Sequence, residues 1–94
     1  MLDKNLVIFD VETTGLDPQA DFIIELCAVK YDQNLEKIGT YLQRFNVPID
    51  IPKEVSDIHG ITNEDLVGYP IFSEEIHAIT EFFRGCDVGG YNVL

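Results

Sequence analysis

The sequence predicts an α/β domain, and three observations predict it. Residues 6–10 form a nearly all-apolar run of branched and aromatic side chains that ends where carboxylates appear, at Asp10 and Glu12. Two further strand-like runs, 22–31 and 38–45, follow across short polar turns. A helical apolar stripe then precedes a short glycine-bearing stretch at 87–91. Consecutive strands on short loops favour an antiparallel meander, and a helix between two strands favours a crossover that returns the last strand parallel to the first.

Without alternation, the first run reads as a strand covered on both faces. Asp10 and Glu12 are two apart, so on extended backbone their side chains leave the same face, about 6.5 to 7 Å apart. Two anionic groups side by side at a buried strand's end repel each other and lose solvation, an arrangement that persists where a proton or a cation compensates it. A hard divalent ion is the natural compensator: magnesium or manganese prefers carboxylate oxygens, and no nearby cysteine or histidine pair points to zinc. Thr13, Thr14 and Gly15 add hydroxyls, backbone N–H groups and a residue free to adopt positive φ, as a loop passing close to a ligand requires. The plain alternative is a turn-capping Asp10 and a solvated Glu12. The strand before and Thr-Thr-Gly after favour the metal.

Residues 16–21 have turn chemistry, with Pro18 fixing one φ and Asp17 able to bond the backbone ahead. Residues 22–31 read as a central strand interrupted by Glu25 and Lys30, the glutamate being an edge position or a partner of Lys30. Residues 32–36 form a polar hairpin connection, and 38–45 alternate as an edge strand with one wetter face. Pro48 and Pro52 make 46–54 an extended surface loop. Thr62 with Asp65 fits a helix-capping pattern that predicts a short helix ending before Gly68. Ser73 is the next cap candidate, for a helix whose stripe is Phe72, Ile76, Ile79 and Phe83 and which Gly85 closes. His77 falls on its polar side. Cys27 and Cys86 lie far apart outside any Cys-x-x-Cys pair and read as buried free thiols.

Phe9-Asp10-Val11-Glu12-Thr13-Thr14-Gly15-Leu16-Asp17 closely resembles the first motif of the DEDD-type 3′-5′ exonucleases of the DNA polymerase III epsilon-subunit-like group. Ile23-Ile24-Glu25-Leu26 resembles the family's second strand, Ile58-His59-Gly60-Ile61-Thr62 its central His-Gly-Ile-Thr segment, and Gly90-Tyr91-Asn92-Val93 the start of its second motif. The resemblance implies the N-terminal half of a ribonuclease H-like fold: a three-stranded antiparallel meander, a crossover helix and a fourth strand parallel to the first. It implies hydrolysis of the terminal phosphodiester of DNA, or RNA, in proofreading or repair, with Asp10 and Glu12 as catalytic metal ligands in a two-metal site. It implies contact with the terminal nucleotide by Thr13, Thr14, Gly15, Leu16, Ile58, His59 and Asn92, Leu16 packing on the base. The implied partners are a single-stranded 3′ end and a DNA polymerase.

Two departures matter. Tyr91 stands where many members have histidine, and the family's aspartate four or five residues after Asn92, like its last motif with the general base, falls beyond Leu94. Residues 1–94 are therefore expected to be a C-terminally truncated exonuclease domain, inactive alone and self-associating through an exposed sheet edge. The competing expectation is a non-catalytic interaction module that keeps part of the fold. A haloacid dehalogenase-type phosphotransferase also begins with a strand and Asp-x-Asp, but Glu12 in place of the second aspartate disfavours it.

With 94 residues and 46% hydrophobic content, the chain can build one modest core. No apolar run is long enough to span a bilayer and no basic-then-apolar leader precedes the first strand, so a cytoplasmic protein without membrane contact is expected. The net charge of −11, from 6 basic and 17 acidic residues, is the wrong sign for gripping duplex DNA through phosphates. It weighs less against an enzyme that holds a few terminal nucleotides where divalent cations reverse the local sign.

Overall fold

A computed structural model describes residues 1–17 and 19–91, Tyr91 by its backbone. The expectations placed on Pro18, the Tyr91 side chain, Asn92, Val93 and Leu94 lie outside the described residues. The elements are β1 (Leu6–Thr13), β2 (Ile23–Tyr31), β3 (Lys37–Arg44), α1 (Lys53–His59), α2 (Ile76–Phe83) and β4 (Asp87–Tyr91), with 3₁₀ turns at Asn63–Leu66 and Phe72–Glu75. The sheet order is β3-β2-β1-β4, antiparallel through the first three strands, with β4 parallel to β1. This is the predicted meander plus crossover. Its hairpin is built by Asp32, whose Oδ1 accepts from the N–H groups of Asn34 and Glu36 at 2.8 and 3.0 Å while Leu35 takes a φ of 65°.

The two sheet faces differ. Val7, Ile24, Leu26 and Ala28 are the fully buried strand apolars, and register and alternation put them all on one face. There Phe83 of α2 meets Phe9 edge-on at 5.9 Å, Phe82 packs on Tyr41, and Lys30 sits 4.4 Å over the Phe82 ring. Beyond β3, Phe45 is fully buried against Phe72 at 5.1 Å, and Ile61 and Leu66 cluster on Ile24. The opposite face carries Leu6, Ile8, Asp10, Glu12, Cys27 and Val29, none fully buried, and Leu42 is 63% exposed. Expected cover on both faces is thus found on one. The chain is correspondingly extended, with a radius of gyration of 14.4 Å against about 12 Å for a compact chain of this length.

Several local expectations are corrected. β1 runs on to Thr13, so both carboxylates lie within the strand. The loop expected over 46–54 gives way at Lys53 to α1: Pro52 occupies its N-cap, where the missing N–H costs no bond, and Gly60 ends it at φ 76°. After Thr62 there is a single 3₁₀ turn, although the Asp65 carboxylate does accept from the Thr62 N–H and hydroxyl at 2.9 and 3.1 Å. Ser73 lies inside the second 3₁₀ turn rather than at a cap; there Glu74 accepts from the Ile71 N–H at 3.3 Å. Ile76, expected in the buried stripe, is exposed, and Phe82 takes the inward place. Both cysteines are free but half-buried. No helix among the described residues is long and apolar enough to cross a membrane.

Candidate active site

Asp10 pairs with Cys27, and Glu12 with Glu25, which pairs in turn with Arg44. Three strands therefore place Glu12, Glu25 and Arg44 in one row on the open face. Like charges directly opposite on neighbouring strands repel, and Arg44 relieves one of them: its Nε donates to Glu25 at 2.8 Å. That bond holds the Arg44 guanidinium above its ordinary value. Lys30, the expected partner of Glu25, is occupied on the other face by Phe82, because residues 25 and 30 differ in parity along the strand. With Glu25 neutralised by Arg44, Glu12 and Asp10 have no cationic side chain paired with them among the described residues. Arg44 is a contributor that sequence reasoning missed, since only the register brings it to Glu25.

Two buried side-chain polar atoms lack a partner among the described residues, Asp10 Oδ1 and His59 Nε2. Both belong to residues the motifs single out. Buried polar atoms are almost always bonded, so an orphan needs a ligand or an explanation. A carboxylate oxygen turned inward beside a second carboxylate fits a hard cation. At the C-terminal end of α1, His59 Nδ1 accepts the Ile61 N–H at 3.0 Å, so the neutral ring carries its proton on Nε2, as a donor. Ile58 beside it is 86% exposed. Among the described residues no third histidine, cysteine or acidic side chain completes a metal cluster.

The 13–17 loop is knitted from within. Thr13 Oγ1 donates to the Gly15 carbonyl at 2.6 Å. Thr14 is fully buried, its hydroxyl donating to Asp21 Oδ1 at 2.7 Å and accepting the Phe22 N–H at 2.9 Å. Its hydroxyl is spent inside the fold, which corrects the expectation that it reaches a substrate. Gly15 is corrected too, as it is not left-handed; a Cβ there would lie 2.6 Å from Asp21 Oδ2, so close approach is what demands glycine. An open groove of about 290 Å³ runs beneath this loop, lined by Val11, Thr13, Gly15, Leu16 and Phe22 among others. Neither carboxylate enters it, because Val11 and Thr13 alternate with Asp10 and Glu12 along β1.

The sequence profile described as "Exonuclease" matches residues 7–93. The chain belongs to the exonuclease family. It is 36% identical over 88 residues to the DNA polymerase III subunit epsilon of Treponema pallidum (strain Nichols), covering 89% of this chain and 39% of that protein. It is 44% identical over 90 residues to the PolC-type DNA polymerase III of Thermotoga maritima, covering 96% of this chain and 6% of that one. Among solved structures, the moderately thermophilic exonuclease I of Methylocaldum szegediense superimposes with a TM-score of 0.83 at 28% identity, over 95% of this chain and 20% of that one. The exonuclease-family chain thus has the exonuclease fold and spans less than half the length of these relatives.

Proposed function

We propose that this chain is part of a metal-dependent 3′-5′ exonuclease acting on single-stranded DNA, or RNA, in replication or repair. The observation that carries the reading is the orphaned Asp10 Oδ1 beside Glu12, on a row where Arg44 has already neutralised Glu25. Asp10 and Glu12 would hold magnesium or manganese. Such ions, when bound, lower the pKa of a coordinated water and stabilise a leaving oxygen. Leu16 would pack on the terminal base, a contact that tolerates any base. The Nε2–H of His59 would donate to an oxygen of the terminal nucleotide, with the exposed Ile58 beside it. The backbone of Thr13 and Gly15 would border the sugar. The names of the relatives, a DNA polymerase III subunit epsilon and a PolC-type DNA polymerase III, support a DNA polymerase as the proposed partner.

A second reading, a non-catalytic module, is favoured by the pair of carboxylates standing alone among the described residues. A 5′-labelled single-stranded oligonucleotide with Mn²⁺ separates the two. Carried within a polypeptide of the relatives' full length, residues 1–94 should support shortening from the 3′ end that vanishes with Asp10→Ala. Shortening from the 5′ end, or indifference to Asp10→Ala, overturns the nuclease reading. The 94 residues alone should release no appreciable mononucleotide, since among the described residues the site holds two of the four carboxylates the resemblance implies and no general base, and the base by itself contributes about 100- to 10,000-fold.

A further inference from the structure

We propose that Asp21 is a positioning residue, fixing the 13–17 loop so that Leu16 and the loop backbone stand ready for a nucleotide; the proposal rests on the nuclease reading above. One carboxylate ties both arms of the loop together. Its Oδ1 accepts from the Thr14 hydroxyl at 2.7 Å and its Oδ2 from the Asp17 N–H at 2.8 Å. The Asp21 backbone N–H donates to the Asp17 carbonyl at 2.8 Å, and the Thr14 N–H to the Phe22 carbonyl at 2.9 Å. Between these anchors Gly15 lies against the carboxylate, where a Cβ would be 2.6 Å from Oδ2 and 2.9 Å from both Cγ and Oδ1.

The consequence falls on Leu16. Its side chain is 73% exposed and makes little packing of its own, so its place is set by its neighbours. Gly15 packs on the Asp21 carboxylate and Asp17 bonds to it, so the Leu16 Cα is held from both sides by one residue. Hydrogen bonds to a carboxylate are roughly twice as strong as neutral ones, and a loop already ordered loses less entropy when ligand binds. An acid whose only role was to close the turn would affect stability alone. A positioning role affects nucleotide affinity as well.

The test uses residues 1–94 carried within a polypeptide of the relatives' full length, in saturating Mg²⁺, titrated with thymidine 5′-monophosphate by isothermal calorimetry. Wild type, Asp21→Ala, Asp21→Asn and Leu16→Ala are compared, with Mg²⁺ affinity measured separately for each. Asp21→Ala should weaken nucleotide binding about tenfold and match Leu16→Ala, with Mg²⁺ affinity at Asp10 and Glu12 unchanged. Asp21→Asn keeps one acceptor for Thr14 and should fall between, and it carries the test alone if the alanine variant does not fold. Wild-type nucleotide affinity in the folded Asp21 variants, while Leu16→Ala is weakened, overturns the positioning role and leaves the nuclease reading standing. A wild-type chain that takes up Mg²⁺ but no nucleotide overturns that reading, and this inference with it.

Discussion

Replacing Gly15 by alanine puts a methyl group where the Asp21 carboxylate already stands. At a glycine whose backbone any residue can adopt, the substitution usually stabilises by about 0.4–1 kcal/mol through the unfolded chain, and Gly15 is not left-handed. Here the contact decides the sign. Moving Oδ2 from 2.6 Å to the ordinary 3.4 Å displaces the carboxylate by about 0.8 Å. That stretches the bonds from Thr14 and Asp17, now 2.7 and 2.8 Å, to the limit of useful geometry. Hydrogen bonds to a charged group contribute about 1.5–3 kcal/mol each; Asp21 is half-buried, so the low end applies and the pair is worth about 3 kcal/mol. After the entropic gain, the net loss is about 2–2.5 kcal/mol. A domain of this size loses about 4–8 °C per kcal/mol, so the melting temperature followed by circular dichroism should fall by about 8–20 °C. In an Asp21→Ala background the same substitution should be neutral or slightly stabilising. Equal losses in both backgrounds, or none in the wild type, would refute the contact as the reason for glycine.

Two further outcomes follow from the fold. Asp65 is held below the usual carboxylate range by the Thr62 N–H and hydroxyl, and Glu81 by its hydrogen bond from Arg84. A depressed folded-state value stabilises above the unfolded value and is lost as pH falls through the folded one. Melting temperature should therefore drop on acidification below about pH 4, and Asp65→Asn should make that limb shallower; an unchanged limb contradicts the assignment. The half-buried apolar face and the outer edge of β4, unpaired among the described residues and with Val88 57% exposed, should drive self-association at micromolar concentration. Sedimentation should show oligomers that Leu42→Lys combined with Val88→Lys disperses, whereas a wild-type monomer that binds no exposed-surface dye contradicts an open face.

Strand topology is legible because it rests on short apolar runs, on alternation in the third, and on turn chemistry. The runs at 6–10, 22–31 and 38–45 and the Asp32 turn each carry their own signal, and β1 with Asp10 and Glu12 on one face follows from spacing alone. What was not legible depends on register or on contacts distant in sequence. Arg44 reaches Glu25 across a strand pair, and the Asp21 carboxylate meets Gly15 across a turn. The fate of the Thr14 hydroxyl is of the same kind, decided by an acid seven residues away. α1 does carry a local signal, Pro52 at its start and Gly60 at its end, but two prolines this close together also match a helix-breaking loop. The apolar run of β1 suggested cover on both faces, and α2 reaches one of them.

A cation held by Asp10 and Glu12 is the central element of the proposed function. Thermal unfolding with and without 10 mM Mn²⁺, on the wild-type chain and on Asp10→Ala, tests it most directly. If the site binds with a Kd of about 1 mM, 10 mM Mn²⁺ stabilises the folded chain by about 1.4 kcal/mol, which raises the melting temperature by about 6–11 °C. The shift should vanish in Asp10→Ala. An equal shift in both proteins would place the ion elsewhere and contradict a metal site at Asp10 and Glu12.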